Sequence, residues 1–165
     1  MTEPSFALAE DRQLFFEDLR AGDVCLSGGR TVTEADIVNF AGVSGDFHAL
    51  HMDESYAAGT AHGRRMAHGM LVVAMTAGLV VRLPIMRGIE RSTLGLAGVN
   101  LRFLEPTFIG DTIRVELSVT ETRESRKPDR GVIMMRRRVL NQHDQPVVEG
   151  DWTLVLRRRV QAITA

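Results

Sequence analysis

Cysteine is nearly absent: the 165-residue chain has only Cys25. An internal disulfide is thereby excluded, and a lone thiol suits a reducing compartment. Charge of one sign is also lacking, because 20 Lys+Arg stand against 21 Asp+Glu, a formal net charge of −1. No global positive field draws in polyanions, so nucleic acid is not an expected partner. Long apolar runs are missing. The longest, Met66 to Val81, contains His68, lies between Arg65 and Arg82, and falls short of the roughly 20 residues that span a bilayer. It reads as a buried core helix, and no membrane is an expected partner. Met1 to Glu10 carries Glu3 and Glu10 and lacks the basic and apolar regions of a secretory signal. The expected location is cytoplasmic.

What remains is ordinary globular material, with 44% hydrophobic and 25% charged residues and no internal repeat. The length fits one domain over 1–165. A Gly28-Gly29 turn follows the segment Phe15 to Val24, with a strand plausible on either side. Thr33-Glu34-Ala35-Asp36 has a helix-start pattern, and Ile37, Phe40 and Ala41 supply one buried face at i, i+3, i+4. Asp53 can cap a short helix through Ala58. Gly59 and Gly63 then interrupt the chain before a helix starting near Ala67 or His68. That helix is apolar nearly all round, through Met70, Leu71, Val73, Ala74, Ala77 and Val81, so it is expected to be covered on most sides.

After Leu83 no useful helical period returns. Ile113, Val115, Leu117 and Val119 alternate with Arg114, Glu116 and Ser118, the signature of a half-buried strand, and Trp152, Leu154 and Leu156 repeat it. Asn100 to Leu104 and Val132 to Leu140 read as further strands. One central helix with about five antiparallel strands is an α+β arrangement, in which the sheet packs on the helix.

Between Gly42 and Met52 periodicity disappears, and a turn-prone Ser44-Gly45-Asp46 precedes His48 and His51. Taken alone, an Asp in such a turn bonds its own backbone, and a lone His has no catalytic meaning. The pattern around them changes that reading. Gly45-Asp46-Phe47-His48-Ala49-Leu50-His51, then Asp53-Glu54-Ser55-Tyr56-Ala57, then Ala67-His68-Gly69-Met70-Leu71, resembles the MaoC-like dehydratases, which include the (R)-specific enoyl-CoA hydratases. The likeness continues through Thr31 to Asp36, Leu101 to Pro106 and Gly110-Asp111, a core of about 16–158. The family signature has Gly-Asp, one variable residue, Asn-Pro, an aliphatic residue and His. Here Asp46 and His51 fill the acid/base positions, while His48 and Ala49 stand where the family has Asn and Pro.

The resemblance implies a hotdog fold, a long helix wrapped by an antiparallel sheet, assembled as a homodimer or a dimer-based higher oligomer. It also implies an acyl-CoA thioester as substrate and reversible addition of water to a 2-enoyl-CoA, giving a 3-hydroxyacyl-CoA of (R) configuration. Coenzyme A is then part of the substrate, and no separate cofactor is expected. Unperturbed Asp and His titrate at about 3.9 and 6.5, so near neutral pH a carboxylate and a neutral imidazole can hold one water between them. The family's His-Gly position makes the Gly69 backbone N–H the donor to the thioester oxygen. This accords with an unpaired amide at the positive end of a helix.

Other readings stand beside these. His68 can pack at the helix start or contact substrate, and His48 can touch substrate, brace the loop in place of Asn, or be solvated. His48, His51, His62 and His68 could ligate a metal, but their spacing matches no zinc pattern, so none is expected. Arg64-Arg65, Arg136-Arg137-Arg138 and Arg157-Arg158-Arg159 could bind coenzyme A phosphates, though solvated faces are the plainer reading. A hotdog thioesterase and a catalytically silent acyl-CoA-binding subunit are the competing functions.

Overall fold

Side chains alternating between two environments build the sheet. A computed structural model describes residues 12–159, so the readings of Met1 to Glu10 lie outside the described residues. Strands β1 (Val24–Leu26), β2 (Arg30–Thr31), β3 (Thr93–Phe103), β4 (Thr112–Glu124), β5 (Arg130–Leu140) and β6 (Pro146–Arg157) form one antiparallel sheet. Its order is β1-β4-β5-β6-β3, with β2 also paired to β4. On β4, Ile113, Val115, Leu117 and Val119 are buried, and on β6 Trp152, Leu154 and Leu156 are buried, as the alternation predicts.

Across this face lies α4 (Gly69–Val80), turning Leu71, Val72, Met75, Leu79 and Val80 into the core. Each such side chain contributes about 1.5–3 kcal/mol by leaving water. The helices α1 (Glu34–Ser44), α2 (Ala49–Met52) and α3 (Glu54–Ala58) precede it, and α5 (Pro84–Ile89) follows it. The sheet wrapped on a central helix is the expected hotdog fold, of α+β class. Among the described residues no single helix is long and apolar enough to cross a membrane.

Two expectations need correction. Helix does return after Leu83, because Pro84 opens α5 at a position where its missing N–H costs nothing; six residues are too few to show a period. β3 begins at Thr93 rather than Asn100, through a Gly95 and Gly98 stretch that pairs with β6 across register shifts. α4 is covered on most sides, as expected, but not on all. Met70, Ala74, Ala77 and Val81 are exposed along one stripe, beside an edge strand whose Leu94, Leu96, Val99 and Phe103 are exposed too.

Where β6 passes β3 the backbones approach closely. A Cβ at Gly150 would run into the Asn100 carbonyl oxygen, whereas one at Gly98 would meet nothing within 4 Å. Gly150→Ala is expected to cost about 1–3 kcal/mol, lowering Tm by roughly 2–4 °C per kcal/mol. Gly98→Ala is expected to melt close to the parent. Thermal denaturation of both variants checks this, and equal melting of the two contradicts it.

Candidate active site

The stretch without periodicity is a chain of caps. Thr33 and Asp36 form a reciprocal capping box that starts α1, and Gly45 ends it in the left-handed region at φ 77°. That reversal presents Asp46, whose Oδ1 accepts the His48 N–H at 3.2 Å. His48 Nδ1 in turn accepts the Leu50 N–H at 3.1 Å and so caps α2. Asp53 caps α3 through the Tyr56 N–H. The expected loop from Gly42 to Met52 is therefore helical at both ends, because short polar side chains supply the bonds that a four-residue helix cannot.

α2 carries His51 towards the start of α4. Its Nδ1 lies 2.8 Å from the Met66 carbonyl oxygen. A carbonyl only accepts, so Nδ1 bears the proton and Nε2 keeps its lone pair. His68 is 2% exposed, and its Nε2 donates to the Asp46 carbonyl oxygen at 2.9 Å. The two imidazoles lie 3.8 Å apart between ring centroids, and Phe40 packs on His68 at 5.1 Å. His68 Nδ1 is buried without a partner. Burial pushes the His51 imidazole below its ordinary 6.5, opposed by the Met66 carbonyl and Asp46 and reinforced by the His68 and His48 rings. Near neutral pH it is therefore an uncharged base.

The start of α4 completes the cluster. Its N-cap, His68, makes no side-chain cap, unlike Thr33, His48 and Asp53 at the earlier helices. The first α4 amide with a helical acceptor is Val72, bonded to the His68 carbonyl. The Gly69 amide is thus left over at the positive end of the helix. A Cβ at Gly69 would sit 2.7 Å from the Phe103 ring, so glycine permits that close approach. An apolar cavity of about 400 Å³ opens here, bounded by Met66, Gly69, Val72, Phe103 and Val148. A larger one, about 990 Å³, lies among Arg82, Arg87 and Arg91 beyond the other end of α4. Its lining includes no part of the cluster, whereas Met66 and Gly69 line the smaller cavity, which is therefore the candidate site.

The structure thus brings together Asp46, His51, His68 and Gly69 and keeps His48 on the outside as a brace. Ligating atoms of Asp46, His51 and His68 lie within 4.8 Å of one another, which is the set that could hold a divalent ion. Sequence reasoning did not find the Met66 carbonyl or the Phe103 ring, since neither position has an unusual residue type. Of the arginine runs, Arg65, Arg136, Arg138, Arg158 and Arg159 are engaged with carboxylates. Arg64 lies over Phe108. Arg137 departs from the solvated reading, being 7% exposed.

Residues 20–137 match the MaoC like domain. This chain belongs to that family. Similar to this MaoC-like chain is an (R)-specific enoyl-CoA hydratase from Aeromonas caviae, 34% identical over 71% of this chain and 81% of the relative. Protein MaoC of Klebsiella aerogenes is 43% identical over 63% of this chain, which spans about 30% of that protein's length. A solved structure of a monoamine oxidase regulatory protein from Archaeoglobus superposes with a TM-score of 0.87 at 31% identity. The match covers 93% of this MaoC-like chain and 100% of that one.

Lowered basicity of His51 fixes the sign of a pH effect. Below about 6.5 the unfolded chain takes the proton more readily, so the stability His51 contributes is present above that pH and lost as pH falls. The acid limb of kcat/KM, which reports the free enzyme, is expected to have its midpoint below 6.5. A midpoint at or above that value, removed by His51→Gln, contradicts the burial reading.

Proposed function

We propose that this chain adds water reversibly to the double bond of a 2-enoyl-CoA thioester, giving a 3-hydroxyacyl-CoA. The observation that carries the reading is the Asp46 and His51 pair beside an uncapped helix start, whose Gly69 lines an apolar cavity. Water held between the Asp46 carboxylate and His51 Nε2 attacks C3 and gives its proton to the pair, which returns one proton to C2. Negative charge on the thioester oxygen meets the Gly69 N–H, a fixed donor of the kind worth about 2.7–4 kcal/mol. The proton transfers belong to the coupled pair rather than to either residue. The Aeromonas relative, named (R)-specific, supports an (R)-3-hydroxy product. No metal enters the reaction, coenzyme A comes with the substrate, and the protein works in the cytoplasm.

The same reading makes the protein a homodimer. Among the described residues β3 has an unpaired edge, and its exposed Leu94, Leu96 and Val99 lie on the same side of the molecule as the exposed stripe Met70, Ala74, Ala77 and Val81 of α4. A two-fold axis normal to the sheet pairs β3 with its copy antiparallel and covers both stripes at once. Leu96→Arg is expected to shift the protein from dimer to monomer in analytical ultracentrifugation; an unshifted dimer contradicts this interface.

Hydration is read as loss of the enoyl-thioester absorbance on a panel of 2-enoyl-CoA esters. Asp46→Asn and His51→Ala are each expected to lower kcat by about 100- to 10,000-fold with the melting transition retained. Chelation is expected to leave the rate unchanged. Full activity in either variant overturns the assignment, and release of free thiol replaces it with thioester hydrolysis. Stoichiometric zinc lost together with activity overturns the metal-free mechanism.

A further inference from the structure

Arg137 stands on the inner face of β5, in the row of Ile133, Met135 and Val139 that forms the core. Its guanidinium lies 4.2 Å from the Trp152 ring centroid. The side chain is 7% exposed. Among the described residues it has no ion pair, and its Nε is buried without an acceptor. Burial alone pushes it down to about 10, with no charged neighbour contributing. The flanking Arg136 and Arg138, by contrast, each hold a carboxylate, Asp151 and Glu116.

Leaving a cation in a core without a counter-charge is strongly unfavourable, and a buried polar atom without a partner calls for an explanation. Stacking on Trp152 recovers only part of that cost. Strand register relates Arg137 to the candidate cavity. Val148, in the wall of the candidate acyl cavity, pairs with Val139, and the next inward rung pairs Arg137 with Gly150. Gly150 carries no side chain, and Trp152 follows it on the same face. Arg137 is therefore one inward rung along the sheet from Val148 in the cavity wall.

We propose that Arg137 receives an anionic group at the far end of the acyl chain, so that the preferred ligand is an acyl-CoA ending in a carboxylate. This rests on the acyl-CoA reading of the same site. A guanidinium pairs with carboxylate through two parallel N–H donors, which discriminates against a methyl end of similar size. Without ligand, the unpaired charge is held at the expense of stability; with it, charge and hydrogen bonds are satisfied together.

The test uses the full-length protein and unreactive saturated thioesters, so it does not depend on turnover. Calorimetry compares glutaryl-CoA with pentanoyl-CoA, and the same pairing on longer chains. The carboxylate-ended member is expected to bind about tenfold tighter or more, the scale of one charge-assisted hydrogen bond. Arg137→Met is expected to erase that preference and to raise Tm, because it removes an unpaired buried charge; Arg137→Lys is expected to keep part of the preference. Absence of a preference in the parent, or a preference untouched by Arg137→Met, overturns the proposal. So does a lowered Tm in Arg137→Met with the preference kept, which marks Arg137 as a clamp on Trp152. If Arg137→Met does not fold, a preference undiminished in Arg137→Lys overturns it. A parent that shows the preference but hydrates no enoyl thioester removes the proposed reaction and leaves this inference standing.

Discussion

One hydrogen bond holds the site in register: the His68 ring donating to the Asp46 carbonyl. It joins the segment after α1 to the first residue before α4, two parts of the chain 22 residues apart. His68 also packs against Phe40 and His51, and it makes no cap on its own helix although its Nδ1 has no partner. The Gly69 amide is the first of the helix and one of the donors that helical bonding leaves without an internal acceptor, and the His68 bond brings the Asp46 segment to that same end. Asp46 and the open start of α4 are thus neighbours through one side chain.

Such choices oppose stability. A side-chain cap contributes about 0.5–2 kcal/mol, and α1, α2 and α3 each take it; α4 forgoes it. Arg137 gives up a counter-ion in the same manner. The core recovers both, through Ile37, Ile85, Ile113, Ile133 and Leu156, all essentially inaccessible to solvent. A folded state can carry unsatisfied groups only where a rigid apolar surround leaves them no alternative arrangement.

Much of this was legible in the sequence. Period-2 alternation located β4 and β6, and the Thr33 to Asp36 cap located α1, since each is a local signal repeated over neighbouring residues. Asp46, His51 and Gly69 stood out through the resemblance of their surrounding stretches to the MaoC-like family. The rest depends on relations that no single segment encodes. The role of His48 as an α2 cap needed the turn geometry, and the exposed face of α4 needed the sheet's edge. Arg137 looked like one of three surface arginines until strand register put it on the inner side of β5. The length of β3 was hidden because Gly95 and Gly98 are poor strand formers, which pairing with β6 overrides.

The tautomer of His51 is set by the backbone oxygen of Met66, not by a side chain. Every amino acid offers that oxygen. Mutation at position 66 can therefore reshape the cavity wall while leaving the proton on the same ring nitrogen, so the wall can evolve towards new ligands independently of the chemistry it encloses.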